Sequence, residues 1–176
     1  AIPKDVLHIV HTARLVPSKR PEQLLRALSH AVSQPDRSFG DFRATFLGDG
    51  KLKVSLPKIA GELDEAAIAK GGERISGRLA FPGYTKEIPT WLASADLHCL
   101  VSQYEGLPLS VIEAMAAGTP TLASDVAELR DVMTNEREGL LVDTGDYAAI
   151  AAALHRFSGD LPLRRRLAAA GQERAQ

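Results

Sequence analysis

Short β-branched apolar runs alternate along this chain with longer stretches of helical periodicity, and that alternation limits the fold more than any other feature. Six runs bounded by Gly or polar residues read as buried strands: 6–10, 44–47, 74–76, 97–101, 121–123 and 139–142. Between them, 21–32 places Leu24, Leu25, Leu28, Ala31 and Val32 on one face of a helix that begins at Pro21. Further helices are expected at 51–69, 88–95, 108–118, 127–134, 147–157 and 161–174, with Asp146 as the N-cap of the sixth. Strands alternating with helices imply βαβ units. The expectation is an α/β fold, Rossmann-like and doubly wound, with a mostly parallel six-stranded sheet covered by helices on both faces. One domain is expected over 1–176, and 34–40 is the clearest loop.

Composition excludes several function classes. The 21 basic side chains nearly cancel the 22 acidic ones, so there is no general attraction to nucleic acid or to anionic membrane, only room for a local patch. A single cysteine, Cys99, rules out an internal disulfide framework and a cysteine-built zinc site. No apolar run approaches the roughly 20 residues that span a bilayer. The first residues, Ala1-Ile2-Pro3, include no initiator Met and do not resemble a signal peptide, which suggests a piece of a longer, cytoplasmic protein.

In doubly wound sheets, ligands bind at the carboxyl ends of the strands, so the loops after the first, second, fourth and fifth strands matter most. After the fourth comes Ser102-Gln103-Tyr104-Glu105-Gly106-Leu107-Pro108, which opens a helix that is apolar from 109 to 117 except at Ser110 and Glu113. A helix apolar nearly all round should be buried, so Glu113 should need a protein partner or a ligand. Glu105 stands before the same helix N-terminus, where free N–H groups favour an anion. It also has a plainer reading as a simple capping carboxylate, and Glu113 one as the partner of a buried Arg or of backbone donors. The first strand leads into a loop carrying Arg14, Lys19 and Arg20, which suits a phosphate pair or a solvated surface. Gly48-Asp49-Gly50-Lys51 lacks both the third Gly of a dinucleotide fingerprint and the Lys-Ser/Thr of a nucleotide loop, and reads as a tight turn. His98 and Cys99 read as core. His8 and His11, three apart in a strand, point to opposite faces and make a poor metal pair. Arg164-Arg165-Arg166 reads as a solvated or docking face.

The string Glu105-Gly-Leu-Pro-Leu-Ser-Val-Ile-Glu113-Ala-Met-Ala-Ala-Gly-Thr-Pro120, followed by Thr121-Leu-Ala-Ser-Asp125, resembles the Glu-(seven residues)-Glu motif of glycosyltransferase family 4. Its match is the C-terminal, donor-binding half of retaining enzymes with the two-Rossmann GT-B architecture. Arg14 to Lys19 and the Gly48 turn agree with that family in order and spacing.

The resemblance implies that Arg14 and Lys19 hold the diphosphate of a UDP-, GDP- or ADP-sugar. It makes Glu105 the catalytic candidate, accepting hydrogen bonds from the donor hexose. Backbone N–H groups of Gly106, Leu107 and Leu109 would face sugar and phosphate, and Glu113 would bind the ribose. Backbone near 78–81 would contact the nucleobase. No cofactor or metal is implied. The acceptor site would lie on an N-terminal domain absent from this chain, through which any peripheral membrane association would arise, and this half alone should catalyse little.

The chain departs from the family at Arg20, where Gly is common, and at Ala127–Asp131, where Gly-Gly-x-x-Glu is common; there Glu128 would repel a phosphate. The competing readings are a non-catalytic nucleotide-sugar-binding module and a related sugar-nucleotide epimerase.

Overall fold

The computed structural model describes residues 6–34 and 39–176. Six strands form one sheet: β1 (Leu7–Thr12), β2 (Phe42–Leu47), β3 (Leu79–Gly83), β4 (Leu97–Leu100), β5 (Thr121–Ser124) and β6 (Gly139–Val142). Their order is β3-β2-β1-β4-β5-β6, and every neighbouring pair is parallel. The expected doubly wound α/β architecture is therefore present, with the order reversing between β1 and β4.

Among the described residues, five α-helices lie between strands, α1 (Pro21–Val32), α2 (Ser55–Ile68), α3 (Ile88–Ala93), α4 (Leu109–Ala116) and α5 (Ala127–Val132), and α6 (Tyr147–Gly159) and α7 (Leu161–Arg174) follow β6. Alternate strand residues feed two cores. Ile9, Ala44, Phe46, Leu97 and Cys99 pack with Leu24, Leu28, Leu56 and Leu154 of α1, α2 and α6. On the other face, Leu100 and Ala123 meet Val111, Met115 and Leu129, while Val10 and Leu47 meet Leu92 and Ala114. Apolar strands buried on both faces are what a parallel sheet requires.

Most local expectations hold within a residue or two. Asp146 caps α6 by accepting from Ala148 N–H at 2.8 Å, and Asp160, not anticipated, caps α7 through Leu163 N–H at 2.8 Å. Gly118, at φ 72°, ends α4 in the left-handed region. The second helix begins at Ser55 rather than at 51. Part of the expected 34–40 loop, residues 35–38, lies outside the described residues.

The third strand is displaced. It occupies Leu79–Gly83, not 74–76. Ile75 is fully buried, but its N–H donates to the buried Asp64 carboxylate at 2.6 Å, with Ser76 N–H nearby at 3.3 Å, so this segment never joins a ladder. β3 is an edge strand whose Pro82 cannot donate, and it pairs with β2 across an irregular register.

Candidate donor site at the switch point

The loops that leave β1 and β4 emerge at the reversal of strand order and bind each other. Gln103 N–H donates to Ser18 O at 2.8 Å. Lys19 Nζ donates to Glu105 Oε2 at 2.6 Å, with side chains 17% and 6% exposed. Glu105 is thus neither an exposed N-terminal carboxylate nor a plain cap: it is a buried anion held by one cation. Its other oxygen, Oε1, is buried with no hydrogen-bond partner. An unsatisfied buried acceptor is costly.

Beside this pair a cleft of about 440 Å³ opens over the carboxyl ends of β1, β2 and β3, within the range of small-molecule sites. Thr12, Arg14, Gly48, Tyr84, Thr85 and Glu113 are among its walls. Gly48 makes the wall possible. At φ 133° it holds a conformation that side chains rarely adopt, and a Cβ there would run into the Ala13 carbonyl. The Gly48 turn therefore lets the β2 loop lie directly against the β1 loop that carries Arg14. Arg14 is exposed and makes no ion pair among the described residues, so its charge is available to a ligand. Asp49 is occupied elsewhere: the Gly50 N–H and then Lys53 hold its carboxyl below the usual carboxylate range.

Glu113 corrects the sequence reading. Helix α4 is not buried all round: Val111, Ala114 and Met115 face the core, whereas Leu109, Glu113 and Ala116 form an exposed stripe. Glu113 therefore needs no internal partner, and what singles it out is its place on the cleft wall facing the β1 loop. Leu109 is corrected in part, because its N–H already donates to Leu107 O at 2.9 Å. Gly106 and Leu107 are exposed, with N–H groups that make no hydrogen bond among the described residues. Arg78, Leu79 and Ala80, at the amino-terminal end of β3, line a separate hollow shared with His8 and Trp91, and Phe81 lies in the middle of that strand. Tyr84 and Thr85, at the carboxyl end of that strand, line the cleft instead. The turn signal Pro82-Gly83 would have located them had the strand been placed before it.

Behind the cleft stand His11 and His98, both buried. His11 Nδ1 donates to Cys99 O at 2.9 Å, and His98 Nε2 lies 2.8 Å from the Thr12 hydroxyl. Burial lowers the His11 pKa to about 4 and that of His98 to about 3, so both rings are neutral props under the β1 loop. Cys99 is buried beside them and its thiol is pushed up by desolvation, which leaves it inert. Among the described residues no group of three His, Cys, Asp or Glu side chains is placed to hold a metal ion, and no helix is long and apolar enough to cross a membrane.

Residues 7–160 match the family model described as glycosyl transferases group 1. The chain belongs to that family. It is 32% identical over 180 residues to a D-inositol 3-phosphate glycosyltransferase of Nocardioides, covering 99% of this chain and 39% of the relative. It is also 30% identical to the lipopolysaccharide core biosynthesis glycosyltransferase LpsD of Rhizobium meliloti, covering 97% of this chain and 45% of that one. Each match spans less than half of the curated relative. Among solved structures, sucrose-phosphate synthase from Thermosynechococcus elongatus superposes with a TM-score of 0.80 at 27% identity, over 99% of this chain and 42% of the synthase. The Anabaena protein HepE superposes at 0.78 with 23% identity, over 97% of this chain and 44% of its own, a likeness of fold.

Proposed function

We propose that this chain is the donor-binding half of a retaining hexosyltransferase, holding a nucleotide diphosphate sugar in the cleft beside Glu105. The observation that carries the reading is the state of Glu105. One of its oxygens is fixed by Lys19, and the other is buried without a donor. A sugar hydroxyl completes that carboxylate. A backbone donor would have completed it in folding, as the Ile75 N–H does for Asp64.

The rest of the cleft fits the remainder of such a ligand. Glu113 offers a carboxylate to the ribose hydroxyls, and Arg14 offers the uncompensated cation for the diphosphate. Lys19, already paired, contributes its remaining N–H donors rather than a free charge. The free N–H groups of Gly106 and Leu107 add donors where negative charge grows on the leaving diphosphate, so the protein supplies the neutralisation that a metal ion would otherwise give. Tyr84 and Thr85 stand where the nucleobase would lie. The HepE structures are complexes with UDP, with UDP-glucose, and with UDP and glucose, which supports a uridine nucleotide as the first ligand to try. The acceptor would be a glycan, lipid or small molecule held chiefly by the part of the protein that this chain does not span.

Calorimetric titration of the chain with UDP, GDP and ADP, and with their glucose and mannose conjugates, tests the reading. One nucleotide should bind, and Glu113→Ala should weaken that binding by about tenfold or more. Arg14→Ala should weaken the diphosphate far more than the bare nucleoside. Equal binding by wild type and Glu113→Ala, or equal losses for nucleoside and diphosphate, would remove these residues from the proposed roles.

A further inference from the structure

A second cleft, of about 390 Å³, opens on the same edge of the sheet, over β4, β5 and β6. Arg20, Gln103, Asp125, Arg130, Asp143 and Thr144 line it. The β1 loop contributes to both clefts. The β1 loop sends Arg14 to the first and Arg20 to the second, and the β4 loop contributes Gln103 here. The Lys19–Glu105 pair ties these same β1 and β4 loops together.

Two features mark Arg20. It occupies the left-handed region at φ 40°, which among the described residues no other non-glycine except Glu136 does. Its side chain makes no hydrogen bond or ion pair among the described residues, and its Nη1 lies 3.9 Å from where a Gly145 Cβ would stand. The other charges are largely spoken for. Arg130 holds Asp125 through two hydrogen bonds, at 2.6 and 2.9 Å, and Asp143 Oδ1 accepts from Gly145 N–H at 2.8 Å. What faces the space is one free guanidinium, one half-used carboxylate, a primary amide and little apolar surface. This balanced set of donors and acceptors matches vicinal hydroxyls, each of which both donates and accepts. A multiply charged phosphate would meet Asp125 and Asp143 as well as the arginines.

We infer that this cleft binds a neutral saccharide unit on the acceptor side of Glu105. The acceptor-side placement rests on the donor reading of the first cleft. With the nucleotide over β1 to β3 and its hexose at Glu105, the next free space along the edge is this one.

Amide-resolved NMR titration of the chain with methyl α-glucoside, methyl α-mannoside and methyl α-galactoside tests it, with UDP and inorganic phosphate as separate arms. At least one glycoside should shift Gln103, Asp125, Asp143 and Gly145 along one saturating curve. Arg20→Gly, which replaces a strained residue with the one at ease there, should keep its melting temperature and lose about tenfold in glycoside affinity. Gln103→Ala should lose affinity likewise. UDP should move Gly48, Tyr84 and Glu113 in wild type and in Arg20→Gly alike. The inference is overturned if no glycoside moves the second cleft at tens of millimolar, if Arg20→Gly binds glycoside as wild type does, or if phosphate moves those amides more strongly than any glycoside. If UDP leaves the first cleft unmoved, the donor reading fails and the acceptor-side placement fails with it, while the glycoside arm still judges whether the second cleft takes a saccharide.

Discussion

Acidification from about pH 7.5 to about pH 5 should remove about 4 kcal/mol of folding stability, through two buried imidazoles. The folded state holds His11 near pKa 4 and His98 near 3, chiefly by desolvation, against an ordinary value of 6.5. At pH 5 both rings remain neutral in the fold and are almost fully protonated in the unfolded chain. Each therefore costs about 1.5 pKa units, or about 2 kcal/mol, and the two sum because neither is charged in the native state. The sign follows from the depression: the stability is complete above the unfolded pKa and is lost as pH falls towards the folded one. Carboxylates held low by partners, such as Asp125 beside Arg130, act in the same direction but in a lower window, below about pH 4. Urea unfolding followed by circular dichroism at the two pH values reads the difference as a lower midpoint at unchanged slope. His98→Gln, which can still meet the Thr12 hydroxyl, should abolish about half of the pH dependence. Stability equal at both pH values would mean that the rings are not buried and neutral, and would refute the β1–β4 packing on which the site rests.

Other perturbations separate stability from binding. Glu113→Ala should change stability by no more than about 0.5 kcal/mol, because the side chain is exposed, yet it should weaken the preferred nucleoside diphosphate by about tenfold or more in calorimetry. Lys19→Met should destabilise by about 3 kcal/mol in urea unfolding, since it strands Glu105 as a buried anion. Adding Glu105→Gln should recover part of that loss, and a double variant no better than the single one would argue against a tight pair. Gly48→Ala should cost about 2 kcal/mol or more and should also impair nucleotide binding, because the added Cβ meets the Ala13 carbonyl and pushes the Arg14 loop away. A thermal melt that matches wild type would show the turn to be less close than described.

The site was legible wherever a residue's role follows from its neighbours along the chain. Loops after β1, β2 and β4 could be named in advance because strand ends and turn residues are local features, and the Asp146 cap followed from its position before Tyr147. Two misreadings had a common origin. The strand expected at 74–76 has the right apolar residue at Ile75, but a buried Asp64 takes its N–H; the true strand, Leu79-Ala80-Phe81-Pro82-Gly83, is a half-exposed edge with weak periodicity. Glu113 looked buried because its helix is rich in apolar residues. Whether such a residue faces the core or a cleft depends on how the helix is turned on the sheet, which composition does not encode.

By itself, then, the sequence determined the alternation of strand and helix, the parallel sheet this requires, and the presence of two carboxylates and a basic loop at strand ends. Those properties arise from periodicities of two and of 3.6 residues and from short-range capping, all within reach of a few residues. Tertiary structure decided which of the charges meet. It brought Lys19 to Glu105 across 86 positions of chain, left Arg14 free and Glu113 on an open wall, and set Arg20 apart over a second cleft. These outcomes depend on the reversal of strand order between β1 and β4, where two loops distant in sequence leave the sheet side by side. Burial there leaves each charge either a partner within hydrogen-bond reach or a space for a ligand.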